Sequence, residues 1–189
     1  MGKLYETLSA DLRDWLARQK VFFVATAPLG PGGHVNCSPK GGDSFRVIGD
    51  SVVAYLDLTG SGIETIAHLQ ENGRILIMFC AFEGAPRIVR LHGRGDVVYP
   101  GQPAYAKLSL KFPARAGARA IIRVKVTRIS DSCGFGVPLL DFVGHRDTLD
   151  HSAEKMGPDG LAEYRRKKNA DSIDGIPGYV NAAPKGSGS

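Results

Sequence analysis

Cysteine is scarce in this sequence of 189 residues, and the three that occur, Cys37, Cys80 and Cys133, are odd in number and far apart. They support neither a disulfide framework nor a C-x-x-C metal or redox site, which favours a reducing compartment. Long hydrophobic runs are also missing, since no stretch approaches the roughly 18 apolar residues that cross a membrane, and the first residues carry no apolar signal core. We therefore expect a cytoplasmic protein without a membrane segment.

The motifs of common hydrolases and metalloenzymes are absent as well. The five histidines have no metal-ligand spacing, and no nucleophile elbow or Ser-His-Asp arrangement can be recognised. The sequence thus predicts no metal site and indicates no general acid or base. The net charge of +5 favours anionic partners in general. The densest basic run, at 165–168, lies in a predicted helix without interleaved aromatic residues, so nucleic acid is not an expected partner.

The sequence is rich in β-forming residues and in turn residues. Twenty-four Gly and eleven Pro accompany short apolar or alternating runs. These runs predict a hairpin over 21–38, a second hairpin over 45–58, two long strands at 74–82 and 87–99, and a last strand at 120–129. Helices are predicted at 9–20, 64–71 and 103–112, and the clearest later helix begins at Pro158.

We expect these segments to form a mainly β fold, a six-stranded antiparallel barrel that is closed or partly closed and carries peripheral helices. The βαβ repetition of a dinucleotide-binding sheet is missing. Residues 1–180 are expected to form a single domain. The tail at 181–189 ends in Gly-Ser-Gly-Ser, and we expect it to be disordered, with a cloning origin for its last residues.

One turn stands out because it joins a β-run to a helix. Thr59-Gly60-Ser61-Gly62 precedes the helix at 64–71, so free backbone N–H groups and two hydroxyls gather at a helix N-terminus. Such a position binds phosphate. Ser61 and Glu64 also have the S-x-x-E spacing of a capping box, which would use the same serine to satisfy the helix. The residues of the turn leave both interpretations open.

Three segments carry a resemblance to a known family. They are Asn36-Cys37-Ser38-Pro39-Lys40-Gly41 in the first hairpin, Thr59-Gly60-Ser61-Gly62 after a β-strand, and Arg87-Ile88-Val89-Arg90-Leu91-His92-Gly93 later in the chain. In this order, over roughly residues 10–145, the sequence resembles the pyridoxamine 5′-phosphate oxidase-like family of FMN-binding split β-barrels, and it is closest to the uncharacterised branch. The resemblance implies a six-stranded antiparallel split barrel and FMN as the cofactor.

The resemblance also implies which residues bind FMN. The isoalloxazine ring would border the segment 36–41, and the phosphate would lie at the turn 59–62 beside basic side chains. The implied cofactor-binding residues are Asn36, Ser38, Pro39, Lys40, Gly41, Thr59, Gly60, Ser61, Gly62, Thr65 and Arg90. The family's oxidase carries a Ser-Arg-Lys phosphate clamp at this turn, whereas this sequence has Gly-Ser-Gly. The missing charge would come from backbone N–H groups, from Lys40, or from Arg87 or Arg90, and the departure argues against the oxidase's own reaction.

Members of the family are typically homodimers with FMN at the subunit interface, so the resemblance implies a homodimer whose loop at 132–138 reaches the partner's flavin. On this loop, Cys133, Gly134 and Phe135 are the substrate candidates. The implied function is that of an FMN-dependent oxidoreductase acting on an unknown small molecule. A non-catalytic flavin or haem carrier on the same barrel is the alternative, and a deazaflavin in place of FMN is also left open.

Overall fold

The computed structural model of the protein describes residues 2–179, which form an antiparallel sheet with four helices. The strands are β1 (Leu4–Tyr5), β2 (Val21–Thr26), β3 (Asn36–Gly41), β4 (Phe45–Val47), β5 (Val52–Leu58), β6 (Arg74–Cys80), β7 (Ile88–Val98) and β8 (Ala118–Ser132). The helices are α1 (Ala10–Arg18), α2 (Glu64–Asn72), α3 (Pro103–Ser109) and α4 (Thr148–Lys168). None of these helices is both long and apolar enough to cross a membrane.

The sheet curls into a half-barrel in the order β3-β2-β6-β7-β8-β5-β4, and β1 pairs with β8. All the pairs are antiparallel, and the long strand β8 pairs with both β7 and β5. The prediction of a mainly β, antiparallel fold is confirmed, but the count of six strands is wrong. Seven strands follow the main order, which is also the number that the predicted segments give when each hairpin is counted as two strands. The additional strand β1 has two residues, too few to show a periodic pattern.

The larger of two buried hydrophobic clusters is built around aromatic rings. The rings of Phe22, Phe45 and Phe79 lie with centroids 4.9–5.5 Å apart, and Tyr55 packs edge-on to Phe22. Along β2 buried and half-buried residues alternate, as a strand with one face against the core requires. This packing fixes the edge formed by β2 and β3, where the polar residues at 36–41 lie.

Helix α2 begins later than a capping box would require. Ile63 occupies the N-cap position, and no side chain caps the helix. The capping-box interpretation of Ser61 and Glu64 is therefore wrong, because Glu64 is already the first helical residue. The predicted stop is confirmed, since Gly73 follows the helix with a φ of 69° and its N–H bonds to the Leu69 carbonyl at 3.0 Å.

One other boundary differs from the predictions. Strand β3 does not end at Pro39 but continues through Gly41, which pairs with Val21. As β3 is an edge strand, the donor that proline lacks is not needed on its open side. The prediction that a helix begins at Pro158 is confirmed, because the helical run α4 is broken at Gly157, which has a φ of 65°, and a first helical part of α4 precedes this break. The predicted tail at 181–189 lies outside the described residues.

Candidate functional site

A cleft of about 720 Å³ runs along the edge strand β3. Its walls are β3, the end of β5 with the turn that follows, the start of α2, and an irregular segment at 140–149. Cofactor and small-molecule sites have volumes of roughly 300–1,000 Å³, so the cleft is large enough for a nucleotide-sized ligand. Eight of the predicted cofactor-binding residues line it: Asn36, Ser38, Pro39, Lys40, Gly41, Gly60, Gly62 and Thr65.

The two hydroxyl residues of the turn do not line this cleft. Thr59 is buried, and its hydroxyl donates to the Gly117 carbonyl at 2.9 Å and accepts from Arg165 Nε at 2.9 Å. The proton of this hydroxyl is therefore already used and cannot be donated to a ligand. Ser61 is exposed and lines a smaller pocket next to the cleft, together with His34 and Ile173.

The arginines proposed as sources of charge lie elsewhere. Arg90 donates from Nη1 to the Ser132 hydroxyl at 2.9 Å and does not line the cleft. Arg87 donates to the Tyr5 hydroxyl at 2.7 Å and forms an ion pair with Asp131 at 3.3 Å. A role for Arg90 in flavin binding would therefore need the cleft of a second protomer.

The substrate candidates Cys133, Gly134 and Phe135 also lie outside the cleft. Cys133 and Phe135 are exposed. Gly134 has a φ of +68°, and a Cβ built on it would lie 2.8 Å from the backbone nitrogen of Arg87. Gly134 thus holds the loop against the start of β7, while the two side chains beside it face outward.

A buried ion pair at the cleft was missed by the sequence reasoning. Asp57 and Arg119 are 1% and 3% exposed, and Arg119 Nε lies 2.5 Å from Asp57 Oδ2. Lys40 Nζ lies 3.6 Å from the other oxygen, Oδ1. The three groups carry one net positive charge, and the partly exposed group is Lys40. The cleft therefore presents a lysine ammonium that a buried carboxylate holds in place.

A β-bulge directs Arg119 into this position. Asp57 pairs with Ala120, whereas the next residue, Leu58, pairs with Ala118, so Arg119 is the extra residue on β8. Bulges redirect side chains beside functional sites. A signal was present in the sequence, because Asp57 interrupts an apolar strand run and Arg119 precedes another. A pair of opposite charges inside two buried strands indicates that they meet.

The carbonyls of the turn after β5 face the buried side. Asn169 Nδ2 donates to the carbonyls of Gly60 and Ser61, at 2.9 and 3.4 Å, and Arg119 Nη2 donates to the carbonyl of Gly62 at 2.9 Å. Asn169 is 0% exposed, and its Oδ1 accepts from Arg119 Nη1 at 2.8 Å. The side chains of Asn169 and Arg119 thus bind the carbonyls of three successive turn residues from the buried side of the turn.

The N–H groups of the same peptide units point the other way. In a trans peptide the C=O and N–H are antiparallel, and the described chain has no cis peptide. The N–H groups of Ser61, Gly62 and Ile63 are therefore turned away from Asn169 and Arg119. Within residues 2–179 none of these three N–H groups has a hydrogen-bond acceptor. Successive free N–H groups of this kind form an anion-binding concavity.

A polar chain joins β3 to α2. Asn36 Nδ2 donates to the Thr65 hydroxyl at 3.0 Å and to the Thr26 hydroxyl at 3.2 Å, while Ser38 Oγ donates to Asn36 Oδ1 at 3.1 Å. Beyond them, Thr26 Oγ1 shares a hydrogen bond of 3.0 Å with Nδ1 of the fully buried His68. The orientation of the Asn36 amide at the cleft is therefore fixed by its partners on two other elements.

The buried His68 has a shifted protonation equilibrium. Burial lowers its pKa, because the imidazolium form would lose its hydration. Asp174, Glu64 and Glu71 oppose this shift through their negative charge. His68 is thus held in its neutral form at neutral pH and does not line the cleft.

The outer wall of the cleft comes from the segment at 140–149. The Leu140 N–H donates to the Phe82 carbonyl at 2.9 Å, and the Phe142 N–H donates to Glu83 Oε1 at 3.3 Å. The Phe142 ring lies 4.8 Å from that of His145, centroid to centroid. The basic side chains on this side of the cleft belong to Arg18, Lys20, Arg115 and Arg146. The wall was not predicted, because the segment has no periodic pattern.

An antiparallel half-barrel with a nucleotide-sized cleft along its edge strand, and with an N–H-rich turn at one end of it, defines a ligand-binding split barrel. The model of the pyridoxamine 5′-phosphate oxidase family matches residues 8–133 of the chain. The pyridoxamine 5′-phosphate oxidase family protein ustO of Aspergillus flavus is 45% identical over 199 residues, covering 96% of this chain and 80% of ustO. The chain therefore belongs to the pyridoxamine 5′-phosphate oxidase family.

Solved structures show the same fold at low sequence identity. HupZ from Group A Streptococcus has a TM-score of 0.51 and 24% identity, and the match covers 64% of this chain and 90% of that one. A putative 5-nitroimidazole antibiotic resistance protein from Bacteroides thetaiotaomicron has a TM-score of 0.50 and 12% identity, covering 69% and 86%. The resemblance stated from the sequence is confirmed at the level of family and fold.

Proposed function

We propose that this protein binds FMN in the cleft and acts in the cytoplasm as a homodimeric, flavin-dependent oxidoreductase on a small molecule. The observation that carries the proposal is that the 720 Å³ cleft is lined by the Lys40 ammonium and by Gly62, the middle residue of a turn with three successive free N–H groups. A phosphate monoester is the ligand group that such donors accept best. Membership of the family supports FMN as the molecule that carries this group.

The phosphate end of the cleft fits an anion in charge as well as in geometry. The N–H groups lie at the start of the nine-residue helix α2, whose dipole adds positive potential. Lys40 provides the missing cation, although the family's Ser-Arg-Lys clamp is absent. The Glu64 carboxylate lies against Gly62, since its Oε2 would be 2.7 Å from a Cβ built on that glycine. Its negative charge therefore opposes the binding of a phosphate. The balance of these charges predicts an affinity that depends on ionic strength.

The rest of the cleft fits a flat ring. Strand β3 presents Asn36, Ser38 and Pro39 along one side, and the polar chain to Thr65 fixes the Asn36 amide. FMN, when bound, accepts two electrons from a reduced donor and passes them to an acceptor. The segment carrying Phe142 closes the outer side and limits the access of water. The substrate would enter between this segment and the ring.

Binding can be tested by titrating the purified protein with FMN and following the quenching of flavin fluorescence. Lys40→Ala removes a charge-assisted contact and is expected to weaken binding roughly tenfold or more. Lys107→Ala, on the exposed side of α3, is the matched control and should bind like the wild type. Glu64→Gln removes the opposing carboxylate and should tighten binding. Equal affinities for all four proteins would refute this site, and wild-type protein that takes up no FMN would refute the function.

Reduction of the bound flavin distinguishes a flavin-dependent enzyme from a non-catalytic flavin carrier. An enzyme would take a hydride from a reduced nicotinamide and a proton from solvent onto bound FMN, and would pass two electrons and two protons on to an organic acceptor. Anaerobic bleaching of the flavin absorbance by NADH or NADPH, followed by reoxidation with candidate acceptors, measures both steps. A flavin that stays oxidised under these conditions would favour a non-catalytic carrier over an enzyme. If a deazaflavin binds more tightly than FMN, the deazaflavin replaces FMN as the proposed cofactor. The mass of the flavin-loaded protein in solution tests the homodimer.

A further inference from the structure

The turn that would take the FMN phosphate is supported by a residue outside the matched family region. The family model ends at residue 133, whereas Asn169 directly follows helix α4. Asn169 is completely buried and lies 109 residues from Gly60, to whose carbonyl it donates. The end of helix α4 thus contacts the turn twice, through Arg165, whose Nε donates to the Thr59 hydroxyl, and through the amide of Asn169, which holds the next two carbonyls.

Both polar atoms of the Asn169 amide have partners at or behind the turn. Its two Nδ2 protons have the carbonyls of Gly60 and Ser61 as acceptors, and its Oδ1 accepts from Arg119. Arg119 in turn holds the carbonyl of Gly62 and is itself fixed by Asp57. A buried amide with every polar atom satisfied allows one orientation, because any rotation would leave a buried group unpaired.

We propose that Asn169 is a positioning residue that sets the preference of this site for a flavin that carries a phosphate. The inference rests on the proposed function. It follows from the opposite directions of C=O and N–H in each peptide unit. By holding the carbonyls of Gly60 and Ser61 inward, Asn169 turns the N–H groups of Ser61 and Gly62 outward as phosphate donors. Asn169 itself touches no ligand.

The effect is measured as the ratio of two dissociation constants, that of riboflavin divided by that of FMN. Riboflavin lacks only the phosphate, so the ratio reports the phosphate contacts alone. Asn169→Ala is expected to lower the ratio about tenfold, with most of the loss in FMN affinity. Asn169→Asp keeps an acceptor for Arg119 but has no N–H to donate to the turn, and it should lower the ratio at least as much.

A control separates positioning from general stability. Ser172 is buried in the same C-terminal segment, and its hydroxyl accepts from the N–H groups of Asp174 and Ile176, at 3.3 and 3.1 Å, without contacting the turn. Ser172→Ala should leave the ratio at the wild-type value, whatever it does to the melting temperature. If the affinities for FMN and riboflavin fall in parallel in Asn169→Ala, or if its ratio stays within twofold of the wild type, the proposal is overturned.

A second measurement on the wild type does not depend on the folding of any variant. In amide proton–nitrogen NMR spectra, FMN should shift the signals of Ser61, Gly62 and Ile63 downfield, whereas riboflavin should leave them nearly unchanged. Equal shifts with both flavins would overturn the proposal. Wild-type protein that binds neither flavin would overturn the proposed function and this inference with it. A ratio that survives unchanged in the Asn169 variants would overturn this inference alone.

Discussion

Replacing Arg119 by methionine tests the electrostatic design of the cleft most directly. The substitution keeps an unbranched side chain of similar length but removes the guanidinium, which lies 2.5 Å from the carboxylate of Asp57. That carboxylate is 1% exposed, and its nearest remaining cation would be Lys40, at 3.6 Å from Oδ1. The variant also leaves the carbonyl of Gly62 and Oδ1 of Asn169 without their donor.

The expected loss is about 3–5 kcal/mol in the free energy of unfolding, the usual effect of stranding one charge of a buried pair. Adding Asp57→Asn should recover part of this loss, because the uncompensated charge disappears. We expect the double variant to be about 1–3 kcal/mol more stable than the sum of the two single changes predicts. Arg123→Met is the matched control, since Arg123 lies on the same strand and pairs with Asp96 at 2.7 Å, with the two side chains 44% and 51% exposed. It should cost less than about 1 kcal/mol.

Urea unfolding of the flavin-free proteins, at one protein concentration and neutral pH, measures all four variants on one scale. The comparison needs equal slopes against urea, so that shifts in the midpoint report stability alone. If Arg119→Met costs no more than Arg123→Met, the buried pair does not stabilise the fold as argued. If the losses from Arg119→Met and Asp57→Asn add without coupling, their charges do not interact as the structure indicates.

Two further predictions concern His68 and Gly134. Because burial lowers the pKa of His68 from about 6.5, its contribution to stability is complete above pH 6.5 and is lost as the pH falls below that value, by at most about 1.4 kcal/mol per pH unit. Between pH 7.5 and 5.5 the urea midpoint should therefore fall less steeply in His68→Gln than in the wild type. The control His151→Gln changes an exposed histidine and should behave like the wild type. Parallel plots of midpoint against pH for all three proteins would contradict the prediction. Gly134→Ala places a Cβ 2.8 Å from a backbone nitrogen at a positive φ and should cost about 1–3 kcal/mol, whereas Gly136→Ala enters open space and should be nearly neutral. Equal melting temperatures for these two variants would contradict the argument.

The fold was largely predictable because its strands carry local signals. The run at 21–26 and the alternation at 120–129 each became a strand, and the left-handed Gly73 ended α2 where the sequence placed the stop. These features depend on neighbouring residues, which share one face or one turn. The count of six strands was wrong although the predicted segments add up to seven, and the two-residue β1 has no local pattern that could predict it.

Many of the residues that line the candidate cleft were predictable, but the residues that support them were not. The segment at 36–41 and the turn at 59–62 were chosen from the sequence, but the residues that hold them were missed. Arg119 lies 62 positions from Asp57 and 50 from Asn169, and a bulge decides which way it points. Such contacts depend on the register between strands and on the path of the last helix. The opposite charges of Asp57 and Arg119 in apolar runs indicate a pair, but no local pattern in the sequence gives the register or the path of the helix.

The division between the matched family region and the rest of the chain explains why the cofactor was easier to infer than the substrate. Residues 8–133 contain β3, the turn and the start of α2, and these carry the groups that would face FMN. The outer wall at 140–149 and the supporting Asn169 both lie beyond that region. The alignment with ustO covers 96% of this chain at 45% identity, so the similarity extends into this part. Under the proposed function, the family region would hold the cofactor and the later segment would border the substrate, so differences in substrate among relatives should concentrate after residue 133.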